Sequence, residues 1–203
     1  RSGVIDHLNG IAHDGTLFQR ASFRKAPHNS YISFENIKKG ATDSQYELVK
    51  TVTPLPFLTE DEVNDLDGEQ ADEVTVEYSS RYQVSYRYDE EAKEYTRMIG
   101  HETMVDYETD EPKKLTNILI IEAHHQVIDA QNRKSIEITN GGNAILLQNG
   151  MAHHIEWEND NGRIVPKTSE GKVGFIPGQT WIHIVPTHPG LNQVVKLPEL
   201  ATE

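Results

Sequence analysis

Cysteine is absent from the 203-residue chain, so disulfides, thiolate catalysis and cysteine-ligated zinc are all excluded. Basic residues are few: 19 Lys and Arg stand against 32 Asp and Glu, a formal charge of −13. A polyanion partner needs clustered Lys and Arg to neutralise its phosphates, so no nucleic-acid partner is expected. Long apolar runs are missing too. The longest, "ILII" at 118–121, falls far short of the roughly 20 residues that span a bilayer. The chain opens on Arg1 with no charged-then-apolar leader, so it reads as a processed or trimmed product. It contains no G-x-S-x-G elbow, no H-E-x-x-H and no acidic loop of EF-hand form, the patterns that would mark a serine hydrolase, a zinc protease or a calcium site. No cofactor is expected.

What is present is ordinary for a folded domain. Hydrophobic residues make up 36% and charged residues 25%, enough apolar surface for a core and one large domain or two small ones. In the first fifty residues, Asn9-Gly10 and Asp14-Gly15 are turn signals. Ser33 precedes "FENIKKG", which predicts a short helix at about 34–39, capped at its end by Gly40. The stretch 59–73, "TEDEVNDLDGEQADE", has acidic residues and no basic ones. It reads as a solvated turn or linker between two parts.

The pattern then changes. From Val74 to Tyr88 every even position except Ser80 is Val or Tyr, and every odd position is polar. Period-2 alternation of this kind marks a strand with one wet face, and Ser80 in mid-run leaves room for a bend and a pair of strands. "DEEAKE" turns the chain and "YTRMI" returns as a partner. "NILIIEAHHQVID" reads as a more buried strand and "KSIEIT" as a shorter one. Asn149-Gly150 between apolar runs predicts a two-residue hairpin. "GKVGFIPGQTWIHIVP" supplies the last strands, broken at Pro177-Gly178.

Several blocks carry a resemblance. "DHLNG" with "HDGTLFQRASFRKAPHNSYISFE", then "SYRYDEEAKEYTRMIGHETMVDYETDEP", "IDAQNRKSIEITNGGNAILLQNG" and "GQTWIHIVP" resemble the YerB-like lipoprotein family, a bacterial domain of unknown function. "RKAPHNSY" and "GQTWI" are its most specific parts. The resemblance implies a Gram-positive origin, secretion, and lipid anchoring at the outer face of the plasma membrane through an N-terminal segment this sequence lacks. It implies no catalytic residues. The expected organisation is α+β. Residues 1–58 would be the C-terminal remainder of a mixed α/β domain and 59–73 an acidic linker or turn. Residues 74–203 would form a predominantly antiparallel β-rich domain packed against the smaller part.

For function, the stretch "FRKAPHNSYISFE" at 23–35 gathers Arg24, Lys25, His28, Asn29 and Tyr31 around Pro27. Ala26 is pushed to extended backbone by the proline that follows it, so the loop is stiff. A stiff loop with Arg, His, Asn and Tyr suits an anionic or amide-rich ligand, and Arg20 adds a second guanidinium if that segment is helical. The alternative is a turn whose Asn29 and His28 satisfy backbone groups while Arg24 and Lys25 face water. The ten histidines are spaced poorly for a metal, because neighbours such as His124-His125 and His153-His154 point to opposite faces of a strand. No metal site is expected. Trp181 opens an apolar strand, where core packing is the commoner role; exposed, it would be a platform for a sugar ring or a partner.

These residues point to a non-enzymatic, extracytoplasmic, membrane-anchored module that binds a cell-wall fragment or a wall-synthesis protein. Its candidate contacts are Arg20, Arg24, His28, Asn29, Tyr31, Asp106 and Trp181. The second reading is an envelope glycan or peptide hydrolase using Asp14 or Asp106 with His28. Glu108 and Asp110 add carboxylates to that reading, but their separation is not a property of the sequence.

Overall fold

The computed structural model describes residues 7–49, 51, 53–169 and 173–198. The chain divides into two compact units, Arg1–Pro54 and Leu55–Glu203. Each is described by itself.

In the first unit, β1 (Phe18–Arg20) and β2 (Ser30–Ile32) pair antiparallel. Helix α1 (Phe34–Asp43) follows, its first turn capped by the Ser33 side chain, which accepts from the Asn36 amide. The helix runs through Gly40 instead of ending there. Gly40 is buried, and a Cβ at this position would lie 2.6 Å from Leu17 Cδ1. The glycine therefore lets the helix approach Leu17 closely, while Ser44, with ordinary right-handed backbone, closes the helix.

The second unit starts with α2 (Glu60–Asn64), held by a reciprocal cap between Thr59 and Glu62, and β3 (Glu69–Gln70). The acidic stretch read as a turn or linker thus carries a helical turn and a short strand. Next come β4 (Glu73–Ser79), β5 (Tyr82–Asp89), β6 (Glu94–Ile99), β7 (Glu102–Thr103) and β8 (Lys114–Leu115). They are followed by β9 (Asn117–Val127), β10 (Lys134–Glu137), β11 (Gly142–Gln148), β12 (Met151–Asp160) and β13 (Arg163–Lys167). The last elements are β14 (Thr180–Pro186), α3 (Leu191–Val194) and β15 (Val195–Lys196). Residues 170–172, in the segment expected to open the last strands, lie outside the described residues.

Two sheets result. The smaller runs β15-β4-β5-β6-β7, with β8 on β6; the larger runs β10-β9-β11-β12-β13, with β14 on β9 and β3 on β12. Among these strands every pairing is antiparallel except β14 with β9, and an isolated bridge between Phe57 and Phe175 is also parallel, so the unit is mostly antiparallel β with few helices. The run 74–88 forms the β4–β5 hairpin, bent where the register shifts between Glu77 and Ser79. Its even face is the core face: Val76 and Val84 are 0% exposed and Tyr86 1%.

One cluster joins the two sheets through residues such as Val76, Tyr86, Ile118, Ile145 and Val185. A second, around Leu119, Leu146, Trp157 and Phe175, covers the opposite face of the larger sheet. Strand β9 is covered on both faces, which is why "ILII" reads as an unbroken apolar run rather than an alternating one. The Asn149-Gly150 turn joins β11 to β12, with Gln148 opposite Met151. Both turn residues have positive φ, 49° and 75°, the type I′ geometry that Asn-Gly favours.

Candidate functional site

In the first unit, the "RKAPHNSY" block forms the loop that returns β1 to β2, so Arg20 sits in a strand and not on a helix. Its guanidinium takes both oxygens of Asp14, with Nη2 at 2.9 Å from Oδ2, and donates from Nη1 to Asn29 Oδ1 at 3.0 Å. Asn29 donates in turn to the Ala21 carbonyl at 3.1 Å. Tyr31 donates to Gln19 Oε1 at 3.0 Å across the hairpin. Arg24 stands 5.7 Å from the Phe23 ring centre, and His28 is exposed. The loop therefore brings together Arg20, Asp14 and Asn29 as one staple, while Arg24 and His28 lie on its outer surface. Among the described residues no hydrogen bond joins His28 to Asp14.

The other two sequence candidates belong to the second unit. Asp106 turns the loop after β7: its carboxylate accepts from Lys113 Nζ at 2.7 Å and from the Glu108 amide at 3.0 Å. The Lys113 hydrogen bond, ahead of the Glu108 amide, holds its carboxyl below the usual range. Trp181 is half-buried on β14 and carries the Arg97 guanidinium 4.4 Å above its ring.

Arg97 was not singled out from the sequence, and it is the most unusual side chain in the unit. It is only 3% exposed, it makes no ion pair among the described residues, and its Nε has no partner. Nη1 rests 2.8 Å from Met104 Sδ, and the guanidinium charge opposes the upward push that burial gives the Tyr86 hydroxyl. Beside it, His183 is also 3% exposed. Its Nδ1 is 2.6 Å from Tyr78 Oη and its Nε2 is 2.5 Å from Tyr86 Oη. Burial first, then the Arg97 charge, push the His183 imidazole down to about 4, and burial pushes Tyr78 up to about 12. Both groups are neutral at physiological pH. The signal for this cluster was in the alternation itself: Tyr78, Tyr86 and Arg97 all fall on core-facing positions of their strands, where an arginine is out of place.

A groove lies along β12. It consists of two adjoining depressions, of about 630 and 610 Å³, which share His154, Ile155 and Thr168 in their walls. The first is lined mainly by polar groups, among them Glu122, Asn143 and Glu156. Glu122 Oε2 accepts from the Leu191 amide at 3.3 Å, which ties the groove wall to the start of α3. In the second, Glu69 reaches His154 Nε2 at 3.3 Å. His153 is pushed down by burial, and its Nε2 has no partner. Beneath the groove, Asn117 Oδ1 accepts from Gln148 Nε2 at 2.8 Å and from the Ile176 amide at 2.9 Å. This fully buried pair fixes the 174–180 segment against the sheet. Among the described residues no group of three or more potential metal ligands is assembled.

Comparison with known proteins places this architecture. Residues 74–182 match the C-terminal domain, and residues 1–47 the N-terminal domain, of "Protein of unknown function (DUF3048)". The chain belongs to this family. It is 40% identical over 188 residues to "Putative lipoprotein YerB" of Bacillus subtilis (strain 168), covering 91% of this chain and 56% of that protein. It also resembles the crystal structure of YerB from Bacillus subtilis, with a TM-score of 0.83 at 38% identity, covering 98% of this chain and 65% of that one. The chain therefore spans less than two thirds of the length of the relatives it matches. The family boundaries leave 48–73 between the two matched domains, and the acidic stretch falls in that gap.

Proposed function

We propose that the chain is the binding part of an extracytoplasmic lipoprotein, and that it holds a polar fragment of the cell wall in the groove along β12. The relative named as a lipoprotein supports the compartment: lipid anchoring, through a segment outside this sequence, would hold the module at the outer face of the membrane. Among the described residues no helix is long and apolar enough to cross the bilayer. The observation that carries the binding reading is the groove itself. Each of its two depressions lies in the size range of small-ligand sites; the first offers amide, hydroxyl and carboxylate groups, and the second adds apolar side chains such as Leu58, Leu66 and Val173. Sugar and peptide units present many hydrogen-bonding groups and suit such a lining.

A binder is favoured over a hydrolase by the state of the carboxylates. Glycan hydrolysis needs one carboxyl held protonated. Asp106 and Glu137 are both moved down, by hydrogen bonds from Lys113 and Thr139 respectively, opposite to the direction an acid catalyst needs. Both oxygens of Asp14 are occupied by Arg20.

The test is calorimetry of the purified chain with soluble wall fragments, repeated with Asn143→Trp and Glu156→Arg. Both side chains are exposed and line the groove. Each variant is expected to weaken binding about tenfold or more, which is about 1.4 kcal/mol, with little change in Tm. Fragments that bind both variants as tightly as the parent would place the contact elsewhere. Release of reducing sugar or free amine from the fragments would replace the binder with an enzyme.

A further inference from the structure

The second depression of the groove differs from the first in what it leaves unpaired. Gln148 lines it and is only 1% exposed. Its partner Asn117 has every polar atom in use. Asn117 Oδ1 accepts from the Ile176 amide and from Gln148 Nε2, which fixes the orientation of both carboxamides. Asn117 Nδ2 donates to the Ile176 carbonyl at 2.8 Å and to Thr180 Oγ1 at 3.1 Å. Gln148 Nε2 gives its second proton to the Gly174 carbonyl at 3.0 Å. Gln148 Oε1 is thus the one side-chain atom of the pair with no partner among the described residues, and it lies on the side of the carboxamide turned away from Asn117 and Gly174. His153, in the same depression, also has its Nε2 without a partner. A folded protein leaves few buried polar atoms in this state, and an acceptor so placed suits a donor that enters from outside.

The rim sets the charge of that donor. Glu62, Asp65, Asp67 and Glu69 all line the depression, and among the described residues no Lys or Arg does. Glu62 is tied into the cap of α2, and Glu69 to His154. Asp65 and Asp67 are exposed, and neither side chain makes a hydrogen bond or an ion pair among the described residues. Such a rim complements a cation. A metal ion does not fit, because among the described residues no group of three potential ligands comes together. The remaining wall is apolar, with Leu58, Leu66 and Val173. A lone acceptor, an anionic rim and an apolar wall together match an ammonium on an alkyl stem. Its head offers three donors, and its methylenes cover apolar surface.

We propose that the second depression is a subsite for a primary alkylammonium group, of the kind a lysine side chain carries. The inference rests on the groove being a ligand site and adds the charge and shape of what enters it. Gln148 Oε1 accepts from the ammonium, Asp65 and Asp67 supply the opposite charge, and Leu58, Leu66 and Val173 receive the stem.

Calorimetry of the whole chain at low salt, with three small probes, tests this. Nα-acetyl-lysine methylamide carries the ammonium on a peptide unit, its Nε-acetylated form keeps the unit without the charge, and cadaverine is a free diamine. At least one amine is expected to bind, about tenfold more tightly than the Nε-acetylated probe, and the tighter of the two identifies the source as a peptide side chain or a free amine. Asp65→Asn combined with Asp67→Asn should lower that affinity about tenfold with little change in Tm, since both positions are exposed. Glu91→Gln combined with Glu108→Gln removes the same charge at exposed positions away from the groove and should leave the affinity as it was. Equal binding of the amine and its Nε-acetylated form, no binding of either amine, full affinity in the Asp65/Asp67 variant, or an equal loss in both double variants would each overturn the inference. Soluble wall fragments separate it from the wider reading. If they bind equally well after their amines are acetylated, the amine subsite falls and the groove reading stands. If the amines bind and no wall fragment does, the subsite stands and the wall reading falls.

Discussion

At the scale of single residues, burial decides more than residue type. His183 is neutral because the sandwich closes over it, and that choice has a thermodynamic consequence. A free histidine titrates near 6.5, whereas His183 is pushed down to about 4. Between those values the unfolded chain takes up a proton that the folded chain refuses. Stability is therefore full above pH ~6.5 and falls as the pH drops towards 4, by up to about 3 kcal/mol. His153, also pushed down by burial, adds a loss of the same sign. Urea unfolding at pH 7 and pH 4.5 measures the sum, and His183→Gln should show the smaller loss. Identical losses in parent and variant would remove His183 as a cause. In the first unit, Asn29 is bonded on both sides of its amide, so Asn29→Ala should cost about 1 kcal/mol or more. Arg24→Ala, at an exposed position, should change stability by less than about 0.5 kcal/mol. Thermal melts of the two variants separate a structural staple from a loop held for binding.

At the scale of elements, the two hairpins behave differently. The β11–β12 turn is built from its own two residues, and Asn149 also accepts from Tyr88 Oη at 3.0 Å. Asn149→Ala loses that bond and puts alanine at φ 49°, so a loss of about 1–2 kcal/mol is expected in chemical denaturation. A neutral result would mean that the strands hold the turn rather than the reverse. The β4–β5 hairpin depends on its inner face. Val84→Ala would open space in a fully buried position and should cost about 2 kcal/mol. Both hairpins could be read from sequence because a turn pair and a period-2 pattern are local signals. The helix end could not. Gly40 looks like a cap when only its neighbours are considered, and it is a contact glycine because Leu17, far along the chain, packs on it.

At the scale of the molecule, both hydrophobic clusters are built entirely from residues 71–197. Residues 55–203 are therefore expected to fold without the first unit, with a cooperative thermal transition and a β-type circular dichroism spectrum. An unfolded fragment would show that the first unit is part of the core.

The sequence by itself determined the mostly antiparallel β character, the family, the β4–β5 and β11–β12 hairpins, and the absence of cysteine thiol chemistry from these 203 residues. These follow from composition and from patterns a few residues long. Only the tertiary structure decided which side chains act together. Tyr78, Tyr86, Arg97 and His183 span more than a hundred positions, and they meet because β14 packs parallel to β9 at the side of the larger sheet, bringing His183 and Trp181 over the inner face of the smaller one. Arg20 and Asn29 likewise meet through strand pairing, whereas a helix there would have set Arg20 beside Arg24. Local pattern fixes which face of an element is wet; the partners across that face depend on long-range register, which no local pattern encodes.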